Sequence, residues 1–379
     1  MALRGWDDAF LDQMRQHGDP MADDAVREVH ASGRPGAAMA LLQTLVRNDA
    51  PPPEALPPEL KTYLAETAAI PAPLLPHLKQ GEDVFAEHGP EIFMLLGCYS
   101  LPAAYGARKG VQVLARTGQL SHQTQHRLFL TSQMVLDVMT PGGMNDGGRG
   151  IRTAQKVRLL HATVRQVLLN DDKQPWDPSL GVPINQEDLA GTLMTFSYHV
   201  MHGLEMLGIP IEPEEQEAYC ETWRGIAKVM GLVDEMVPHS MAEAQVLTET
   251  IERRQIAASP QGRDLTQALL AMMSGELPRG LRGIPAALMR RLLPPNVSDF
   301  LGVPNPFLSQ ALVSALVFAL AAIDRFDHRS ARRLKLFRFI TVQFMQFMIS
   351  KDLGGRASFM LPASLHGLWG VPPAGETRP

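Results

Sequence analysis

The sequence predicts an all-α protein, and three observations carry that prediction. Apolar residues recur at helical spacing in one segment after another. Almost no segment shows the period-two alternation with β-branched residues that marks a strand. No strand–helix–strand rhythm and no fixed-period repeat runs through the chain. With 379 residues, 45% of them hydrophobic, the chain is long enough to enclose a large core. About ten or more helices are expected, in a single domain: an N-terminal appendage over 1–60, a core over 61–360 and an irregular tail over 361–379.

The segments follow in order. Residues 1–31 read as one or two short helices broken at Gly18-Asp19-Pro20, and 39–47 as an apolar-periodic helix. The stretch 48–60, with Pro51-Pro52-Pro53 and Pro57-Pro58, is a proline-rich linker. Short helices are expected over 60–67 and 73–88, with prolines 71, 73 and 76 setting the breaks. An apolar stretch over 91–101 precedes a helix over 107–115. A long helix starts near Ser121, a suitable N-cap, and is stopped by Pro141-Gly142-Gly143. The glycine-rich run 147–150 follows a helix and lacks the lysine of a phosphate loop, so it does not read as a nucleotide site. The central helix spans 151–170. Another spans 185–207, opened by Asn185-Gln186-Glu187-Asp188, which resembles a capping box and gives its acids a structural role. Helices over 214–230, 240–258, 262–274, 284–293, 306–326 and 328–352 complete the pattern.

Composition narrows the function. A net charge of -5 and a pI near 6.2 give no reason to expect nucleic acid as a partner. The two cysteines, Cys98 and Cys220, are far apart, which fits a reducing compartment and provides no metal spacing. No Cys-x-x-Cys-His occurs, so a haem here is expected to be held without thioether bonds. The longest apolar run, 311–323, falls short of the roughly 20 residues a spanning helix needs, and no integral membrane segment is expected. The acidic, polar start does not read as an export signal, so a cytoplasmic location is expected.

The chemistry concentrates between Arg127 and Leu169. Val157, Leu160, His161, Val164 and Leu168 fall on one apolar stripe of the central helix and place His161 in the row expected to face the core. A neutral imidazole in a dry pocket is a suitable axial ligand for an iron porphyrin. A plain core histidine fits the same pattern. Arg127 and Thr131, at i and i+4 on the preceding helix, share a face; an arginine there calls for an anionic partner such as a propionate or a surface carboxylate. Arg158 and Arg165 flank His161 and are further candidates for holding a cofactor. His122 and His126, also i and i+4, offer a competing non-haem metal site, though without the glutamate of a zinc protease.

These residues resemble a family. Arg127-x-x-x-Thr131 is followed thirty residues later by His161. Around this set lie Leu114-Ala115-Arg116-Thr117-Gly118, Arg158-Leu159-Leu160-His161-Ala162-x-Val164-Arg165, the run from Gly181 to Leu189, and Phe196-Ser197. In that order they resemble the DUF2236 family, the group of latex clearing protein (rubber oxygenase) and oxygenase MpaB. The likeness covers roughly 18–231. It implies a globin-like helical core with additional helices and a non-covalent b-type haem. His161 then corresponds to the proximal iron ligand, and Arg127 and Thr131 to pocket residues with catalytic roles. It also implies dioxygen as a substrate, with an apolar alkene or isoprenoid-like molecule or polymer whose double bonds are cleaved in rubber-degrading members. Two positions depart from those members: Leu130 stands where they carry a lysine, and Val111 where they carry a glutamate. Both departures bear on rubber cleavage and not on haem ligation, so a haem-binding protein without that activity is the runner-up.

Overall fold

A computed structural model describes residues 4–32, 56–68, 70, 74–117, 122–275, 277–311 and 313–314. Among them the regular structure is helical, as expected, and contains no strand; an isolated antiparallel bridge joins Ala107 and Ile256. The expected helices over 39–47 and 328–352, and most of that over 306–326, lie outside the described residues. The chain divides into two compact units. Unit 1 comprises Met1–Asp83, Leu130–Met194 and Glu217–Ile251; unit 2 comprises Val84–Phe129, Thr195–Gln216 and Glu252–Pro379.

In unit 1, α1 (Asp8–Met14) and α2 (Pro20–Ala31) are separated at the predicted break. Asp19 caps α2 by accepting from Ala22 N, and Pro20 occupies the first helical position, where its missing N–H costs nothing. Helix α3 (Pro58–Glu66) starts inside the proline-rich linker for the same reason. The N-terminal segment expected as an appendage contributes to the core of this unit. Ala22, Ala25, Val26 and Val29 of α2 pack with Leu60 and Tyr63 of α3 and with Leu159 and Ala162 of the central helix.

Helix α4 (Leu75–Leu95) runs further than the sequence pattern indicates, passing straight through Pro90. A proline inside a helix forfeits one hydrogen bond and crowds the preceding turn. Here Phe85, Ile92, Phe93 and Leu95 are nearly or fully buried, and that burial outweighs one lost bond. Downstream, Leu96–Ser100 forms a π-helical turn before α5 (Leu101–Gly106). In unit 2 this turn packs against the helix Ile284–Leu292, and α5 against the helix Pro260–Gly275.

Helices α6 (Val111–Thr117), α7 (His122–Met139) and α8 (Arg149–Leu169) follow close to their expected positions. The single helix expected over 185–207 is two, α9 (Gln186–Phe196) and α10 (Tyr198–Met206). Ser197 breaks the run with φ -102° and ψ -82°, outside helical space. Sequence periodicity does not register a one-residue break with apolar residues on both sides. Then come α11 (Pro213–Val229), α12 (Met241–Gln255), α13 (Pro260–Gly275), α14 (Ile284–Leu292) and α15 (Pro295–Phe300), the last of them unexpected. Gly231 closes α11 at φ +86°, where a side chain is strained. A Cβ there would also lie 2.5 Å from Arg158 Nε, so only glycine fits.

Candidate functional site

The central helix α8 buries a different face from the one the apolar stripe predicts. Ala154, Gln155, Arg158, Leu159, Ala162 and Arg165 are buried, whereas Val157, Leu160, His161 and Val164 are only half-buried. The reason is α2, which packs on the first face and brings two carboxylates to it. Arg158 makes a two-pronged pair with Asp19, Nη2 to Oδ1 at 2.7 Å, and donates from Nη1 to the Val229 carbonyl. Arg165 donates from Nε to Asp23 Oδ1 at 2.8 Å, and from Nη1 to the Pro183 and Ile184 carbonyls. Bidentate pairing lets a guanidinium sit in a helix–helix contact, since burial of an unpaired one is strongly unfavourable. Tyr63 stacks its ring under the Arg158 guanidinium at 5.8 Å.

His161 is thereby left on a face that other helices do not fully cover. It lies deep enough that burial, reinforced by the positive charge of Arg165, pushes its pKa down to about 4. The imidazole is therefore neutral at physiological pH. Nδ1 is buried and has no hydrogen-bond partner among the described residues. Arg165 Nη2 is in the same condition one turn along. Buried polar atoms are nearly always paired, so two on one turn of one helix mark a place where the chain's own groups do not complete the bonding. A nitrogen lone pair on a neutral imidazole and a guanidinium N–H suit a metal-centred group that also carries carboxylates.

The last turns of α7 hold α8 in place within unit 1. Asp137 is buried; it accepts from Thr153 Oγ1 at 2.6 Å and from Gln133 Nε2 at 2.8 Å, and faces Arg149 Nε at 2.8 Å. The glycine-rich run turns the corner between the two helices, with Gly150 N donating to the Gly143 carbonyl at 2.7 Å. It thus has a structural role of its own. Thr131 is on the same stretch of α7, half-buried.

Arg127 belongs to unit 2. Its guanidinium is half-buried and donates to the Leu114 carbonyl at 3.1 Å. Burial lowers its pKa, and the nearby Tyr105 partly offsets that. No carboxylate pairs with it among the described residues, and the sequence from 92 to 136 contains no Asp or Glu. Val111 is buried and Leu130 half-buried. The side chains of His122 and His126 lie outside the described residues. Among the described residues no group of three or more His, Cys, Asp or Glu is arranged to hold a metal ion, and no helix is long and apolar enough to cross a membrane.

The acids at the start of α9 cap, as expected. Asp188 N donates to Asn185 Oδ1 at 3.0 Å, and Asn185 Nδ2 donates to Asp188 Oδ2 at 2.9 Å. Glu187 and Asp188 also receive Arg15 Nη1, at 3.1 and 3.0 Å. A separate open cleft of about 690 Å³ in unit 1 is lined by Arg4, Trp6, Phe10, Arg224, Lys228 and His239 among others, and by none of the residues above. Sequence reasoning missed Asp19 and Asp23 as partners of the arginines. The break at Gly18-Asp19-Pro20 was legible, but which helix its aspartate would meet was not.

Known proteins resemble this chain in sequence and in fold. Residues 86–322 match the family described as ER-bound oxygenase mpaB/B′/rubber oxygenase, catalytic domain. That match runs well beyond Gly231, where the sequence blocks ended. A rubber oxygenase from Streptomyces sp. (strain K30) is 26% identical over 310 residues, covering 78% of this chain and 74% of the relative. The structure of latex clearing protein LCP in the closed state shares the fold, with a TM-score of 0.72 at 24% identity over 88% of this chain and 90% of that one. With well over half of its length matched, this chain belongs to the family of mpaB/B′ and rubber oxygenase catalytic domains.

Proposed function

We propose that this chain is a b-type haem oxygenase that uses dioxygen on an apolar alkene or isoprenoid-like substrate, with His161 as the proximal iron ligand. The observation that carries the proposal is His161 itself. It is a half-buried imidazole, neutral at physiological pH, whose buried Nδ1 has no partner among the described residues, on an apolar stripe that neighbouring helices leave half-accessible. The family and its rubber oxygenase member support the oxygenase part. Bound at His161, the haem supplies a redox-active iron for dioxygen chemistry.

The chain's own residues have distinct parts. His161 offers a lone pair that needs no deprotonation above about pH 4. Arg165, through Nη2, and Arg127, which lacks a carboxylate among the described residues, are suited to hold the haem carboxylates. Arg158 serves the cofactor by fixing α8 through Asp19. Thr131 presents a hydroxyl as hydrogen-bond donor or acceptor. Val157 and Val164 give the ligand face an apolar surround. Leu130 and Val111 supply no charge, so this chain lacks the lysine and glutamate of rubber-cleaving relatives at those places. That observation favours a second reading, haem binding without rubber cleavage. A non-haem metal site at His122 and His126 is the third.

Absorbance of the purified chain after haem supply tests the proposal. A Soret band is expected, lost or displaced in His161→Ala with the helical circular dichroism retained. No band in the wild type, or the same band in the variant, would sink it. Dioxygen uptake with polyisoprene and with small terpenoids then separates the first reading from the second, and metal analysis selects the third.

A further inference from the structure

The open cleft of unit 1 takes no part in the proposed haem chemistry, yet its lining combines two recognition elements. It encloses about 690 Å³, within the size range of small-molecule sites. Part of the lining is apolar: Trp6 and Leu74 are buried and Phe10 is half-buried. The rest is polar, with Arg4, Arg224 and Lys228 facing the carboxylates of Asp234 and Glu235. Gly5 keeps the space open, since a Cβ there would meet nothing within 4 Å.

The N-terminal segment is fastened to the cleft through uncharged groups. Arg4 Nη1 donates to the carbonyls of Asp234 at 3.0 Å and Val237 at 3.2 Å, and Trp6 Nε1 donates to the Glu235 carbonyl at 2.8 Å. Arg4 Nη2 lies 3.2 Å from His239 Nε2, and the guanidinium stands 5.9 Å over the Trp6 ring. No carboxylate side chain pairs with this guanidinium among the described residues, so Arg4 brings the cleft a charge that its own partners do not neutralise.

Arg224 is the cation left most available. Its side chain is 20% exposed and its Nη1 is 3.9 Å from Glu221 Oε1, too far for a hydrogen bond. The other oxygen of that carboxylate lies 2.9 Å from His77 Nδ1. Among the described residues the Arg224 fork donates no hydrogen bond at all. Lys228 pairs with Asp234, whose own side chain is 80% exposed. The surplus of positive charge is felt by the neighbours. Burial first, and then the charge of Arg224, hold the pKa of both Lys228 and His239 below its ordinary value. At Lys228 the charge of Arg224 outweighs that of Glu235, and at His239 it outweighs that of Glu243.

We propose that this cleft binds a small amphiphilic monocarboxylate, with its apolar body against Trp6, Phe10 and Leu74 and its carboxylate on the Arg224 fork. A guanidinium takes a carboxylate in two parallel hydrogen bonds, which gives Arg224 the partners it lacks within the chain. The apolar lining recognises the rest of the molecule by burial. Asp234 and Glu235 repel a more highly charged anion, which favours a monocarboxylate over a phosphate. The cleft shares no residue with the candidate haem site, so the failure of either leaves the other standing. Local sequence signals do not reveal it, because Arg4 and Arg224 are 220 residues apart.

Calorimetric titration of the full chain with octanoate, octanol and inorganic phosphate tests the proposal. Octanoate binds at one site per chain. Octanol and phosphate, each lacking one of the two recognition elements, bind at least about tenfold more weakly. Two variants locate the site. Gly5→Leu fills the space, and Arg224→Gln removes the charge and the fork; each weakens octanoate by at least about tenfold with the helical circular dichroism retained. In Arg224→Gln the gap between octanoate and octanol also closes. Absence of saturable octanoate binding overturns the proposal, and so does octanol or phosphate binding as tightly as octanoate. Octanoate affinity left unchanged by either folded variant overturns it as well, because the ligand then sits elsewhere.

Discussion

His161 in unit 1 and His199 in unit 2 both carry a buried Nδ1 with no partner among the described residues, and they differ in the group beside them. His161 has Arg165 one turn away and no carboxylate hydrogen-bonded to it, so desolvation and positive charge both disfavour protonation. His199 has the Glu252 carboxylate at 2.9 Å from Nε2, an acceptor for an Nε2–H. The first imidazole faces a cation, the second a carboxylate. The comparison teaches that burial of a histidine does not define its chemistry; the sign of the nearest charge does.

The comparison breaks most severely if the scaffold under His161 is removed. Asp19→Ala leaves the buried Arg158 guanidinium unpaired and removes the α2 cap. A loss of about 3–5 kcal/mol is expected, read as a lower denaturant midpoint with unchanged slope. A loss below about 1 kcal/mol means Arg158 finds another partner and does not anchor α8 through Asp19.

A smaller effect sharpens the contrast in charge. The pKa of His161 falls from 6.5 to about 4 on folding, so the unfolded chain binds more protons between those values. The sign follows: the stability that neutral His161 contributes is complete above about pH 6.5 and is lost as pH falls toward 4, by up to about 3 kcal/mol. Denaturant unfolding of the wild type and of His161→Leu from pH 4 to 7 isolates the term. The difference between the two must narrow toward neutrality in the sense that the wild type gains relative to the variant as pH rises. A difference independent of pH removes the argument for a neutral ligand.

The smallest effect concerns the Tyr99 ring, which stacks on His199 with centroids 4.5 Å apart. Gly203→Ala places a Cβ against Leu95 and Tyr99, and overpacking of this kind costs about 1–3 kcal/mol. Displacement of Tyr99 is also expected to change the His199 ring signals in the spectrum of the chain labelled with ¹⁵N-histidine. An unchanged spectrum together with unchanged stability means Tyr99 does not hold the imidazole.

Much of this was legible in the sequence. The all-α class, the break at Gly18-Asp19-Pro20, the limits of α7 and α8 and the cap at Asn185 follow from rules that act within a few residues: proline geometry, side-chain caps and helical period. The family was legible too, because Arg127, Thr131 and His161 keep a fixed spacing along two helices. The face of α8 was not. The apolar stripe pointed to Val157, Leu160 and Val164 as core, whereas the helix buries Arg158 and Arg165 against α2. Asp19 and Asp23 decide that, from more than 130 residues away in sequence.

By itself, then, the sequence determined the helices, their order and the histidine on which the proposed cofactor depends, since these are set by local geometry and by residue type at fixed spacing. Only the tertiary structure decided which charges become neutralised, which imidazole nitrogens stay bare and where Pro90 and Ser197 leave regular helix. Those outcomes depend on desolvation and on partners remote in the chain, and neither has a local signature.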